Sequence, residues 1–279
     1  MYILTDGERV LGRVVFKISV GFVTGALILL AGSLYLSNQF IKDHLRLAEA
    51  GDLQGAMNKV EWAARLDPFS SVPYSSEGYL ELREGRPEAA ESAFRQAIRR
   101  DPNNYKTYEA LGNLQRQQLE DPEAAANSYR EALSYNPHAT TLISRLADAL
   151  VTTDDLQGAK TQYEWLYDRG RIPLKDLYTL GKLQTRLGEP EKAVETFDEA
   201  RKRANTELDA SDEQREAQRR SFLESLDLAT ADALVVQRSY DEARDYLAQS
   251  DAAQAPAVLA LLNEDPEGYR RSVFDASIN

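Results

Sequence analysis

The chain of 279 residues has no cysteine and only two histidines. Without cysteine there is no disulfide, no thiolate nucleophile, and no zinc or iron–sulfur site with cysteine ligands. His44 and His138 are far apart in the sequence, and neither has a partner at the spacing of a metal site. We therefore expect no bound metal and no cofactor.

An excess of basic residues is also missing, since 33 Lys and Arg stand against 45 Asp and Glu and the formal charge is −12. Proteins that bind nucleic acid depend on clustered Lys and Arg, so we expect no nucleic-acid partner. The sequence contains no glycine-rich phosphate loop, no G-x-S-x-G and no H-E-x-x-H. Its paired acids, Asp154-Asp155 and Glu189-Pro190-Glu191, stand between predicted helices, where acids usually cap helix N-termini. These patterns predict a protein that is not an enzyme.

One long apolar run stands out from this polar composition. Residues 18–36 carry no charge and no proline, and a helix of this length spans about the 30 Å of a bilayer core. We predict a transmembrane helix at 18–36, preceded by a short N-terminal segment at 1–17. The alternative is a cleaved signal peptide, with Lys17 ending its basic region and Ala31-Gly32-Ser33 as a poor cleavage site.

The charges on either side of this span predict its orientation. Arg9, Arg13 and Lys17 precede it, whereas Lys42 and Arg46 follow it together with acidic residues. Basic residues favour the cytoplasmic side of a membrane. We therefore expect a cytoplasmic N-terminus and an extracytoplasmic, periplasmic body, with the reverse topology as the alternative.

Three glycines lie on one face of the predicted span. Gly21 and Gly25 have the spacing that lets two transmembrane helices approach closely, and Gly32 lies on the same face. This pattern predicts a helix–helix contact in the membrane. The alternative is that these glycines reflect only the usual abundance of glycine in transmembrane helices.

After the span a single pattern of small residues, aromatic residues and proline recurs. Four stretches with this pattern begin at positions 71, 105, 140 and 174, so their starts are separated by 34, 35 and 34 residues. In the first, Ala90, Phe94 and Ala97 fall on one face of a helix, and Pro102 follows the end of that helix. The recurrence identifies these side chains as helix-packing residues.

The pattern and its register resemble the tetratricopeptide repeat family, whose unit of about 34 residues is a hairpin of two helices. No helix breaker lies between Leu34 and Ala50, which predicts one continuous helix from the span into the first unit, with a flexible hinge at Ser37-Asn38-Gln39 as the alternative. Second helices contain Trp62 and Trp165, which we expect to be buried. The resemblance implies an all-α fold, in which a single transmembrane helix precedes a solenoid of five units at 37–70, 71–104, 105–139, 140–173 and 174–207.

The last section, 208–279, leaves this register. Ser211-Asp212-Glu213-Gln214 has the pattern of a helix start, and a final hairpin fits the repeat only from Glu224, sixteen residues late. We predict a long inserted helix, a degenerate repeat-like hairpin and two capping helices at 258–263 and 266–276.

In this family, fixed positions on the first helix of each unit face a concave groove. Most of the residues that the resemblance places at or beside these positions are basic, although the chain as a whole is acidic. The resemblance therefore implies an acidic or extended segment of a partner protein as ligand. The predicted groove residues are Arg83, Lys106, Asn113, Arg116, Arg145, Lys175, Lys182 and Arg186.

Two observations limit this interpretation. Glu109 stands where the family's carboxylate clamp needs a lysine, so we do not predict that clamp. The basic residues could also form an ordinary solvated helix face with i,i+4 ion pairs.

Two functions fit these patterns. The first is a non-enzymatic, membrane-anchored scaffold or adaptor that recruits a partner segment to a membrane or bacterial envelope complex. The alternative is a permanent structural subunit or assembly factor of such an assembly, in which the groove is incidental. Recruitment by a basic groove should weaken with salt, whereas a permanent subunit should not respond to it.

Overall fold

The computed structural model describes residues 6–208 and 211–275, with side chains at Lys17 and from Ser19 onward, and this part of the chain contains helices and no strand. The all-α prediction is confirmed. The predicted segment 1–17 and the predicted helix 266–276 lie partly outside the described residues. The helices are α1 (Asp6–Glu49), α2 (Leu53–Leu66), α3 (Val72–Arg83), α4 (Pro87–Arg100), α5 (Tyr105–Gln117), α6 (Pro122–Tyr135), α7 (Thr140–Thr152), α8 (Leu156–Tyr167), α9 (Leu174–Arg186), α10 (Pro190–Glu207), α11 (Glu213–Val236), α12 (Tyr240–Gln249), α13 (Ala255–Glu264) and α14 (Pro266–Asp275).

The turn between the two helices of each hairpin contains a residue with a positive φ. After α3 this residue is Gly85, with φ of 72°. The helix ends in a Schellman motif, in which the Arg86 N–H donates to the Glu81 carbonyl at 2.9 Å and the Gly85 N–H donates to the Leu82 carbonyl at 3.1 Å. Along the chain these residues are separated by 34, 35, 34, 34 and 50 residues, and they are Gly51, Gly85, Glu120, Asp154, Gly188 and Arg238.

Aspartates start several of the second helices. Asp52 accepts a hydrogen bond from the Gly55 N–H at 2.8 Å, and Asp155 accepts one from the Gly158 N–H at 2.9 Å. The prediction that Asp155 is a helix cap is therefore confirmed. Glu189 precedes α10 but makes no capping hydrogen bond; its carboxylate instead accepts hydrogen bonds from two lysine side chains, so the capping prediction is wrong there.

The chain divides into two compact units, at residues 1–119 and 120–279. In the first unit, α1 is helical through the segment Ser37-Asn38-Gln39 and packs against α2. The buried Ser37 hydroxyl donates a hydrogen bond to the Ala63 carbonyl at 3.0 Å. Ala56, Val60 and Leu80 form an apolar core that extends from this hairpin to α3. The first helix of the chain is thus an integral part of the first hairpin.

In the second unit, α9 and α10 form a hairpin around Phe197. A Cβ built on Gly181 of α9 would lie 2.4 Å from the Phe197 ring, so only glycine lets the helix approach the ring this closely. Leu180, Ala193 and Ala200 of the same hairpin are also fully buried. The small and aromatic residues of the recurring pattern therefore form the packing contacts of this hairpin.

The end of the second unit contains the predicted long helix. α11 has 24 residues, and its buried positions begin only at Leu226, because the preceding turns extend beyond the core. Ala231, Leu234 and Leu247 then form a core with α12 and α13. The last helix, α14, packs against both α11 and α9.

The prediction that both tryptophans are buried is wrong for Trp62. Its side chain on α2 is 52% exposed, and Phe69 in the following loop is 87% exposed. Trp165 is partly covered because its ring stacks on His138, with the ring centres 6.1 Å apart.

Candidate functional site

The predicted groove residues of the first unit lie on α3 and α5. Arg83 and Lys106 are exposed, whereas Asn113 and Arg116 are half-buried. Lys106 borders a pocket of about 210 Å³ between the first turns of the two helices. The other lining residues include hydroxyl groups and two aromatic rings: Ser71, Val72, Ser75, Ser76, Tyr79, Phe94, Asn104, Thr107 and Ala110.

The exposed residues of this pocket are Val72, Tyr79 and the cation Lys106, whereas Phe94, Thr107 and Ala110 are buried. Tyr79 is 53% exposed and packs edge-on against Phe94, with ring centres 5.2 Å apart. Burial of the Tyr79 hydroxyl and the nearby Glu109 carboxylate raise the pKa of Tyr79, so its hydroxyl stays protonated at neutral pH. The pocket can accept an extended chain by hydrogen bonds and apolar contact, with Lys106 attracting an acidic side chain.

The predicted residues of the second unit are arranged differently. Arg145 on α7 is half-buried, and Lys175 in the first turn of α9 is exposed. Lys182 and Arg186, one turn apart on α9, line a pocket of about 230 Å³ between α9, α11 and α14. The opposite wall of this pocket contains an acid, Asp232, which the sequence analysis did not identify.

Burial shifts the pKa values of the acid and the lysine in this pocket. Burial raises the pKa of Asp232 to about 6, although the Tyr269 hydroxyl donates to its carboxylate at 2.8 Å and Lys182 attracts its charge. Burial also lowers the pKa of Lys182, which Asp232 partly restores. Lys182 therefore faces an acid of the same unit, and its charge is partly balanced within the fold.

The C-terminal helix takes part in this site. Tyr269 on α14 donates the hydrogen bond to Asp232, and Val273 on the same helix lines the pocket. Because α14 packs against α9 and α11, it covers part of the first-helix face of the last hairpins. Lys175, on the first turn of α9, is exposed.

A third pocket of about 580 Å³ lies between α10, α11 and α12 and is predominantly acidic. Arg201 forms an ion pair with Asp227 and donates to the Tyr246 hydroxyl at 2.7 Å. The Ser250 hydroxyl donates to the second Asp227 oxygen at 2.6 Å. These contacts join the inserted helix α11 to its neighbours, which is a structural role.

Among the described side chains of residues 18–36, all are exposed except Ser33, which is half-buried against α2. The most apolar window of α1 has a mean hydropathy of 1.9 and contains no buried residue, so by length and composition this helix can cross a membrane. A Cβ built on Gly21, Gly25 or Gly32 would meet nothing within 4 Å. The predicted packing face is therefore open to another helix.

Among the described residues, no group of three or more His, Cys, Asp or Glu side chains has the arrangement of a metal site. His44 is buried in α1, and its Nδ1 atom has no hydrogen-bond partner among the described atoms.

Comparison with known proteins identifies the repeated element. A family model described as tetratricopeptide repeat matches residues 76–139 and 144–207. No curated protein sequence shows significant similarity to the chain. Among solved structures, MamA has a TM-score of 0.55 at 18% identity, with 63% of this chain and 98% of that chain covered. PilF from Pseudomonas aeruginosa has a TM-score of 0.52 at 16% identity, with 86% and 97% covered.

A third solved structure is described as YrrB, a tetratricopeptide-repeat protein with an unusual peptide-binding site. It has a TM-score of 0.50 at 22% identity and covers 58% of this chain and 82% of its own. At these identities the likeness shows a common fold. The resemblance seen in the sequence is confirmed.

Proposed function

The chain carries tetratricopeptide repeats at residues 76–139 and 144–207, and from this premise we propose that it is a non-enzymatic, membrane-anchored scaffold that recruits a protein partner to a membrane or envelope complex. Tetratricopeptide repeats are protein-interaction scaffolds with extended binding surfaces. The main support for the proposal is that the exposed apolar segment 18–36 and the first helix of the first hairpin form one continuous helix, α1.

The anchor is a single span with a cytoplasmic N-terminus and an extracytoplasmic body. The basic residues before the span support this orientation. The open face at Gly21, Gly25 and Gly32 supports contact with a transmembrane helix of the recruited complex, because small residues let helix backbones approach closely.

The ligand is an acidic or extended segment of the partner, bound on the first-helix face of the units. Arg83, Lys106 and Lys175 are exposed there and can form charge-assisted hydrogen bonds. The hydroxyl-lined pocket beside Lys106 supports an extended backbone as ligand. YrrB, which shares the fold and is described as having a peptide-binding site, agrees with this class of partner.

Topology is tested first, and the absence of native cysteine makes the test specific. Asn103→Cys introduces a thiol at an exposed turn residue and leaves the N-cap residue Asn104 unchanged. Thr5→Cys introduces a thiol before the span, at a position outside the described residues. With a membrane-impermeant maleimide on intact cells, we expect Asn103→Cys to react and Thr5→Cys to react only after lysis. The reverse result would place the repeats in the cytoplasm, and recovery of both variants in a soluble fraction would exclude the anchor.

Binding is tested with a fluorescein-labelled oligoglutamate peptide and the full chain in phosphatidylcholine vesicles. Reversal of the three exposed basic residues (Arg83→Glu, Lys106→Glu and Lys175→Glu together) should weaken binding at low salt by about tenfold or more, because each lost charge pair contributes up to about 1 kcal/mol. Higher salt should weaken binding to the unchanged protein in the same direction.

The matched control places the same three charge reversals on exposed positions of second helices, namely Arg99→Glu, Arg130→Glu and Lys202→Glu. This control has the same net charge and should keep most of the affinity. Equal weakening in both variants would attribute the binding to overall charge. If complexes isolated from cells stay intact at high salt and also form with the first triple variant, the alternative function, a permanent structural subunit, is favoured instead.

A further inference from the structure

Two serines of α1 form hydrogen bonds with α2, and one of them, Ser33, belongs to the apolar segment 18–36. The Ser37 hydroxyl donates to the Ala63 carbonyl at 3.0 Å, and the Ser33 hydroxyl donates to the Leu66 carbonyl, one turn further along α2. The earlier serine of α1 contacts the later residue of α2, so the two helices are antiparallel. The C-terminal end of α2 therefore lies level with the last turn of segment 18–36.

Large exposed aromatic side chains lie at this end of α2. Trp62 is 52% exposed, and Phe69 in the loop after α2 is 87% exposed. On α1, Tyr35 at the same level is 63% exposed. The loop is held in place by the Arg100 side chain, whose Nε–H donates to the Pro68 carbonyl at 2.9 Å. Each of these rings has a large apolar surface, and the exposure of such a surface to water is unfavourable.

The two tryptophans of the chain differ in exposure, since Trp62 is exposed and Trp165 is half-buried. Trp62 and Trp165 follow the same pentapeptide, Asp-Leu-Gln-Gly-Ala, at the same distance, so they occupy equivalent positions of their hairpins. Trp165 stacks on His138, which precedes its hairpin. The segment that precedes the hairpin of Trp62 is instead the apolar part of α1.

We propose that Trp62 and Phe69 lie in the headgroup region of the bilayer that α1 crosses, so that the first hairpin rests on the membrane surface. This inference depends on the anchor proposed above. Ser33 lies three residues before the end of the apolar segment at Leu36, a distance of about 5 Å along a helix. The Leu66 carbonyl therefore lies within about 5 Å of the boundary of the hydrocarbon core, and Trp and Tyr are enriched at this boundary in membrane proteins.

The charges around the aromatic residues identify the kind of lipid contact. The Arg65 guanidinium lies 5.0 Å from the centre of the Trp62 ring, and its nearest acid is Glu61 at 3.5 Å. Asp67 follows in the same loop. Because the acids balance the arginine, the contact is made by aromatic burial and does not require anionic lipid.

The test uses the full chain in phosphatidylcholine vesicles with bromine atoms near the headgroup end of the acyl chains, which quench nearby tryptophan emission. Trp165→Phe leaves Trp62 as the sole tryptophan. Adding Trp62→Phe and Phe69→Trp moves the reporter into the loop. The matched control combines Trp62→Phe and Trp165→Phe with Gln54→Trp, an exposed position at the other end of α2, about 18 Å from Leu66.

We expect bromination to reduce the emission of the Trp62 and Phe69→Trp reporters by about half, and to leave that of the Gln54→Trp reporter almost unchanged, because the interface is only about 5–10 Å deep. Circular dichroism checks that each variant keeps its helix content. Unchanged emission of both test reporters in protein that floats with the vesicles would overturn the contact and leave the anchor intact. Equal quenching of all three reporters would also overturn it, since the contact would then not be confined to the end of the hairpin that carries Trp62 and Phe69. Protein that does not float with the vesicles would overturn the anchor itself.

Discussion

Asp232 on α11 should make the second unit less stable at neutral pH than in mild acid. Its pKa is about 6 in the fold and 3.8 in its ordinary state, so the folded chain holds the proton more tightly than the unfolded chain. For an acid with a raised pKa, stability is greatest below pH 4 and falls as the pH rises through 6. At 1.36 kcal/mol per pKa unit, the half-buried carboxylate costs up to about 3 kcal/mol above pH 7.

Asp232→Asn removes this cost and keeps the acceptor for the Tyr269 hydroxyl. Part of the gain is lost because the half-buried Lys182 no longer has an opposite charge, so we expect a net gain of about 1–2 kcal/mol at pH 7.5. This corresponds to a rise of about 2–8 °C in the midpoint of thermal unfolding for a unit of this size.

Thermal unfolding of the full chain in detergent micelles, followed by circular dichroism between pH 4.5 and 8, tests this. The difference between Asp232→Asn and the unchanged protein should grow as the pH rises and then level off above pH 7. Asp241→Asn is the matched control, because its side chain is 98% exposed and the charge change is the same. An Asp232→Asn variant that is less stable at pH 7.5, or a difference that does not vary with pH, would refute the reasoning.

Three further substitutions test the packing and the turns by chemical denaturation of the full chain. Gly181→Ala should cost about 1–3 kcal/mol because its Cβ meets the Phe197 ring, and a neutral result would mean that the ring moves freely. Arg238→Gly should gain about 0.5–1 kcal/mol because the backbone there has φ of 67°, and a loss would mean that other contacts of the arginine matter more. Ser37→Ala should cost about 1 kcal/mol through the lost hydrogen bond to Ala63, and no change would show that this bond does not stabilise the hairpin.

The sequence was enough to predict the helical class and the packing residues of the hairpins. Residues such as Gly181 and Phe197 recur because two helices can cross closely only when a small residue faces a ring, and this constraint is visible in a single sequence. The turn residues also recur at the repeat spacing, because each first helix must end in the same backbone conformation.

Other features depend on contacts that the repeat pattern does not contain. Asp232 lies in a helix whose register is shifted by the inserted residues, so no family position pointed to its contact with Tyr269. Trp62 was expected to be buried because it lies in a second helix near the contact between units. The equivalent positions of other hairpins hold polar residues such as Gln96 and Glu131, so this position is not part of the recurring packing pattern.

The interval of 50 residues between the turn residues Gly188 and Arg238 exceeds the usual interval of 34 by sixteen. The exposed residues 205–207 at the end of α10 and 211–215 at the start of α11 lie in this interval. The contacts between α10 and α11, such as the Arg201–Asp227 ion pair, are made by other residues of the two helices, so extra length in the exposed segment leaves that ion pair in place. We therefore expect the exposed segments 205–207 and 211–215 to accept an inserted fluorescent protein or affinity tag. Such an insertion would allow the protein to be imaged or purified without an alteration of either terminus.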